Sequence, residues 1–269
     1  MIGLSIRQIG ALARISFLES VRHRAILGLF IIALLLGVSG MVLSGLSLPN
    51  QTQRVATTYG LFTISFLSVV IGIIMGVILM HKELQQKTVY TILSKPVPRP
   101  MFILGKYLGI SSVLTCCVTI LALQWFGILH IRGVDVGNSH ILAMILIAFE
   151  VLVVTAVAML CSTFSSPILS GIFTFFIFFL GRLIPVIDFY LNTPQGPHVK
   201  SEFWPIVRPV LEFITNVVPD LSYFHVTDLL LLELPVLGSY VFSSFLYALA
   251  YISICLILSI LIFQRRDLA

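Results

Sequence analysis

Glu150 lies in the run LIAFEVLVV, a single carboxylate in the middle of a stretch that is otherwise apolar. An ionisable group at that depth in a bilayer costs at least about 2.5 kcal/mol on insertion scales, so it must face other helices, carry a proton or hold a partner. Two uses fit it. It is a candidate transport-path residue that touches substrate or a proton. Equally, it is a structural group that hydrogen-bonds a neighbouring span or a second copy, through hydroxyls such as Thr115, Thr119 or Thr155. Arg182, toward the end of the next apolar run, reads as an anchor for an acid outside the membrane. Catalysis would need more. The sequence has no H-E-x-x-H, G-x-S-x-G or G-x-x-x-x-G-K-[ST], the signatures of zinc hydrolysis, a serine nucleophile and a phosphate-cradling loop. His23, His81, His130, His140, His198 and His225 are scattered at the edges of apolar runs or outside them. Cys116, Cys117, Cys161 and Cys255 all fall inside apolar runs, without metal-ligand spacing, and read as packing residues. No catalytic residue and no metal ligand is assigned, and the chain reads as no enzyme.

The elements that must position these residues follow from composition. Of 269 residues 58% are hydrophobic and only 10% charged, with a mean hydropathy of +1.09, against about 25% charged in a soluble domain. Six runs reach the roughly 20 residues of a membrane span: 26–46, 60–80, 104–129, 140–163, 165–187 and 237–263. The start MIGLSIRQIGALARIS lacks a short apolar core followed by a small-residue cleavage site, so no signal peptide is expected. Taking the N-terminus as cytoplasmic places eleven of the sixteen Lys and Arg on that side and five on the other. This bias puts both termini inside the cell. The net charge of +5 then reads as topology and attraction to anionic lipid headgroups, not nucleic-acid binding.

Residues 1–25 read as a cytoplasmic amphipathic helix lying in the interface. Ile6, Ile9, Ala13 and Phe17 share one face while Arg7 and Arg14 lie on another, with Arg22 close to the first span. Residues 26–269 read as one six-span domain. Between spans two and three, the segment 81–103 is charged and punctuated by proline. Glu83 to Leu93 contains no Gly or Pro and gathers Val89, Ile92 and Leu93 on one face, which suits a short helix. Lys95-Pro-Val-Pro-Arg-Pro100 ends it in an extended run, with Pro100 fit for the first turn of the next helix. Such a knob suits a groove on a soluble partner; the plainer alternative is a solvated loop with its share of positive charge.

Glu83, Thr88, Leu93-Ser94, Pro96, Arg99 and Leu104-Gly105-Lys106-Tyr107, in that order between spans two and three, resemble the loop of ABC-2-type ABC transporter permeases. The approach to span one at Leu12 to Arg24 and the C-terminal Phe263 to Leu268 are similar as well. Lys87 departs from the pattern, since many members carry glycine before the threonine. The resemblance implies an all-α membrane protein of six transmembrane helices, the permease half of an ABC exporter. Its partners would be two copies of a cytoplasmic ABC ATPase subunit, which bind ATP and Mg in trans, and a second permease copy, identical or related. It implies coupling to the ATPase at Glu83, Thr88, Leu93 and Arg99, with Lys106 anchoring span three, and a place in the cell membrane, bacterial inner membrane by the same analogy.

The segment 188–236 is expected outside the cell. It is too apolar to stay solvated, and Phe203-Trp204 and Val210 to Val218 read as short interfacial or re-entrant helices, with Trp204, Tyr223 and Phe224 in an aromatic belt. Gly72 and Gly76 form a G-x-x-x-G that permits close helix packing. The rival to the ABC permease is an ion-gradient-driven secondary transporter or channel, but no inverted repeat or pair of broken spans favours it. A membrane-embedded enzyme lacks the clustered side chains it would need.

Overall fold

A computed structural model of the chain describes residues 2–46, 51–85, 99–134, 136–193, 204–232 and 234–265; the side chains of 2–7, 25, 44, 83–85, 99 and 265 fall outside that description. Helices α1 (Ile2–Arg22), α2 (Arg24–Leu46), α3 (Thr52–Gln85), α4 (Arg99–Ile131), α5 (Asn138–Phe164) and α6 (Pro167–Asn192) come first. There follow α7 (Trp204–Val217), a 3-10 turn (Leu221–Phe224), α8 (Thr227–Leu231) and α9 (Gly238–Arg265). Among the described residues there is no strand, as a bilayer demands of any backbone that does not close into a barrel. Six of these helices, α2 to α6 and α9, are long and apolar enough to cross a membrane. The second span starts at Thr52 rather than 60, because the helix continues through its polar first turns. The third begins at Arg99 with Pro100 in its first turn, where the missing N–H has no intrahelical acceptor to lose.

The centre of the bundle is α3 packed on α5, with α4 against both and α2, α6 and α9 around them. The glycine pair of α3 is used there. A Cβ on Gly72 would sit 2.6 Å from Thr155 Oγ1, and one on Gly76 would sit 2.9 Å from the Cβ of Ala158. The two backbones therefore approach at a distance no other residue permits. Helix α2, mostly exposed to the surroundings, is held partly by side-chain donors aimed at its carbonyls. Gln124 Nε2 donates to Leu34 O at 2.7 Å, Tyr59 Oη to Leu36 O at 3.2 Å, and Arg132 Nη2 to Met41 O.

Helix α1 spends its expected apolar face differently from a helix resting in lipid alone. Leu12, Ala13 and Ser16 meet α4 at Gly105 and Gly109, where added Cβ atoms would lie 2.7 Å from Leu12 Cβ and 2.5 Å from Ala13 O. Phe17 packs against the core, and Ser16 and Ser20 are buried. Arg14 and Arg22 are exposed, as are Ile15 and Leu18 beside them. The helix is thus part of the bundle on one side and open on the other.

Replacing Gly109 with Leu should push α1 off α4 and cost about 1–3 kcal/mol, the usual penalty of overpacking. Gly127→Leu, on the same helix where an added Cβ meets nothing within 4 Å, serves as the control. Thermal unfolding in detergent should separate the two variants; equal midpoints would refute the close α1–α4 seam.

Candidate functional site

At the end of the bundle where α1 lies, called here the near side, four elements converge: α1, the last turns of α3, the start of α4 and the end of α9. Lys82, in the last turn of α3, pairs with Glu19 of α1 at 2.6 Å, half-exposed and so worth under about 1 kcal/mol but fixing the two helices in register. Glu83 follows it in α3 and Arg99 opens α4, with their side chains outside the description. Thr88 and Leu93 lie outside the described residues. Lys106 is 1% exposed, turned inward with its ammonium 5.8 Å from the Phe102 ring centroid. Phe102 in turn stacks on Phe263 of α9 at 6.1 Å. Lys106 therefore sits beneath the near-side surface, where its stem fills core volume. Arg7 lies in α1 with its side chain outside the description, and Arg14 and Arg22 face outward from the same helix.

Deeper in the membrane, Glu150 is fully buried and held from two helices at once. Arg182 Nε donates to Oε1 and Nη2 to Oε2, both at 3.0 Å. Ser65 Oγ donates to Oε2 at 2.7 Å and accepts from Arg182 Nη2 at 2.5 Å, which closes a triangle across α3, α5 and α6. The guanidinium lies 5.3 Å from the Phe178 ring centroid, a second favourable contact for a partly desolvated cation. The helix rise explains why they meet. Ser65, Glu150 and Arg182 lie about 20, 18 and 15 Å from the same ends of their helices, so all three stand at one depth.

This corrects two expectations. Arg182 anchors Glu150 and not an acid outside the membrane, because antiparallel α5 and α6 bring the charges together before either reaches the surface. The hydroxyl partner is Ser65, while Thr115, Thr119 and Thr155 bond carbonyls one turn back in their own helices. No sequence signal distinguishes Ser65 from Ser68, the other serine of its span. A charge of opposite sign in the adjoining span was the available clue for Arg182.

Opposite the near side, the 3-10 turn is wedged over this triangle. Leu221 is fully buried and Phe224 1% exposed, so Phe224 belongs to the core and not to an interfacial belt. Gly181 of α6 admits the turn, since a Cβ there would lie 2.6 Å from Pro219 O. Three tyrosines on one face of α9 hold the segment. Tyr240 Oη donates to Tyr223 O at 2.8 Å, Tyr247 Oη accepts from Asp220 N–H at 2.8 Å, and Tyr251 Oη donates to Val217 O at 3.4 Å. Their spacing of seven and four residues is a helical stripe legible in the sequence. His225 borders the turn; partial loss of solvent and, second, the Arg182 charge lower its imidazole below the ordinary histidine value, with Asp228 opposing. Helix α7 buries none of its residues and packs on α6.

A family model described as ABC-2 family transporter protein matches residues 11–268, nearly the whole chain. The chain belongs to this family. Six spans, a helix packed on the bundle before the first, and short helices between the last two are the fold it brings to that membership. No curated protein matches the sequence. This ABC-2 family protein is a multi-pass permease of an ABC transporter, a membrane subunit and not itself the ATPase. In the permease, the buried triangle, the far-side turn and the near-side corner are joined through α3 to α6 and α9, with α1 completing the near-side corner.

Glu150→Ala should strand the Arg182 charge in the membrane and cost about 3–5 kcal/mol, as should Arg182→Ala in reverse; the double variant should recover part of the loss. Thermal unfolding of all three in detergent measures the coupling. Additive losses would mean that the two charges stabilise the fold independently.

Proposed function

We propose that the permease is the transmembrane subunit of an ABC exporter, driven by ATP hydrolysed on a separate cytoplasmic ABC ATPase that contacts the near side. Two ATPase copies and two permease copies would make the complete machine, with ATP and Mg bound by the ATPase. The carrying observation is the near-side corner. Residues 86–98, the middle of the segment 81–103, connect two of the longest helices of the bundle, α3 and α4, and α1 is fixed to both of those helices beside it, by Lys82–Glu19 on α3 and by Gly105 and Gly109 on α4. A push on that segment has a stiff path into the membrane.

Glu83, Thr88, Leu93 and Arg99 are assigned the contact with the ATPase, with Lys106 supporting the start of α4 from within. Arg7, Arg14 and Arg22 set α1 against the headgroups of the cytoplasmic leaflet. Both termini then lie in the cytoplasm, at the inner membrane of a bacterial cell. When nucleotide draws the two ATPases together, the two corners move with them and the path between the permease copies changes its exposure. Glu150 takes part by holding α5 and α6 in register at the depth where that path passes. A gradient-driven transporter would need an acid free to take up and release an ion, and Glu150 is committed to Arg182 and Ser65.

Glu83→Lys and Leu93→Asp should each abolish permease-dependent stimulation of the copurified ATPase while leaving membrane insertion unchanged. Stimulated turnover equal to wild type in both variants would sink the coupling assignment, and recovery of the chain from gentle detergent with no ATPase attached would sink the exporter itself.

A further inference from the structure

The fold uses two of the three nitrogens of Arg182. Nε and Nη2 serve Glu150 and Ser65, while Nη1 has no acceptor among the described residues. Nor is it sealed in. Of the Arg182 side chain 21% is exposed, against 1% for Glu150, and the buried polar atoms that lack a partner do not include Nη1. In a planar guanidinium the third nitrogen lies opposite the edge formed by the other two, so Nη1 points away from Glu150. The ion pair therefore keeps its carboxylate inside the bundle and turns two N–H donors to the open side. A lysine would answer Glu150 without that surplus.

Depth gives the open edge its meaning. Arg182 stands about 4 Å past the middle of α6, where N–H groups of a cation turned to hydrocarbon are costly, so the edge meets water or an acceptor. The chain has no second carboxylate to bring there. Of its eleven acids Glu150 alone lies in the middle of a span, and Asp188, the next one along α6, is about 9 Å nearer the far side. A second copy carries the same single carboxylate, already taken. His225, exposed on the turn above, is within reach of the Arg182 charge, with Asp228 opposing it. The Phe178 ring against the guanidinium packs in turn with Phe66, Phe175 and Phe179. An anion that reaches Nη1 is thus met by aromatic side chains, which suit a ligand with an apolar body.

We propose that the Nη1 edge of Arg182 binds the oxyanion, a carboxylate or a phosphate, of an anionic amphiphile, and that such amphiphiles are the substrate class of the permease. The substrate assignment rests on the reading of the chain as a transporter whose path passes α5 and α6 at this depth. Glu150 and Ser65 hold the guanidinium in one orientation, so the third nitrogen is set before the ligand arrives. Guanidinium suits both oxyanions, since its N–H groups form charge-assisted hydrogen bonds with either.

Binding of dodecyl phosphate, laurate, dodecanol and inorganic phosphate to the full chain in neutral detergent is measured by native mass spectrometry. Dodecyl phosphate and laurate should bind more tightly than dodecanol, which has the tail without the charge, and than inorganic phosphate, which has the charge without the tail. Arg182→Lys keeps a cation for Glu150 but has no third nitrogen, and should weaken dodecyl phosphate binding about tenfold or more, the worth of one hydrogen bond between charged groups. His225→Glu, an exposed change that sets a negative charge near the edge, should weaken it several-fold while the thermal midpoint holds. Should Arg182→Lys fail to fold, His225→Glu alone decides. Dodecanol or inorganic phosphate binding as tightly as dodecyl phosphate, or unchanged affinity in every folded variant, would overturn the proposal. Arg182-dependent binding by a chain that recovers no ATPase would leave the oxyanion site standing and overturn the exporter reading instead.

Discussion

A fully buried carboxylate and the partly buried guanidinium that pairs with it set the arrangement of the membrane interior. Glu150 is tolerable at its depth only because Arg182 donates one N–H to each carboxylate oxygen and Ser65 adds a second donor to Oε2. Each group comes from a different helix, so α3, α5 and α6 have one rotation and one height at which all three polar groups are satisfied. Apolar side chains surrounded by lipid tails give little such direction, since hydrocarbon is as good a neighbour as another leucine. The ionic triangle supplies the register that greasy surfaces leave open.

Close backbone approach does the complementary work. Gly72 and Gly76 bring α3 onto α5, and Gly105 and Gly109 bring α1 onto α4. In each case van der Waals contact over a short stretch replaces the hydrophobic drive that a bilayer removes. The result is a stiff inner group of helices, with α2, α6 and α9 turning broad apolar faces outward. At the near side this stiffness extends through α1 and the Lys82–Glu19 pair to both flanks of the segment between α3 and α4. At the far side it extends through three tyrosine hydroxyls of α9 to the turn that carries Leu221 and Phe224. The ionic triangle lies between these two ends, and Gly181 and Arg182, neighbours in α6, connect it directly to the far-side turn.

Much of this was legible in the residues. Long apolar runs, three prolines after a charged stretch and the motif from Glu83 to Tyr107 determined the span number, the helix that has Pro100 in its first turn and the family. They could do so because a backbone in lipid has hardly any option but the helix, and because proline and charge mark where it stops. Glu150 was recognisable as a group needing a partner. The stripe of Tyr240, Tyr247 and Tyr251 stood in the sequence as well, but nothing there said what the hydroxyls would meet.

The sequence by itself therefore determined the elements, their order and the residues under electrostatic constraint. Tertiary structure alone decided the pairings: Arg182 and Ser65 as partners of Glu150, α4 as the seat of α1, Phe224 in the core, and Lys106 turned inward beneath Phe102. The physical reason is that a helix's own hydrogen bonds are local and can be read from consecutive residues. The depth at which two distant side chains meet depends on the length, direction and packing distance of the whole helices that carry them.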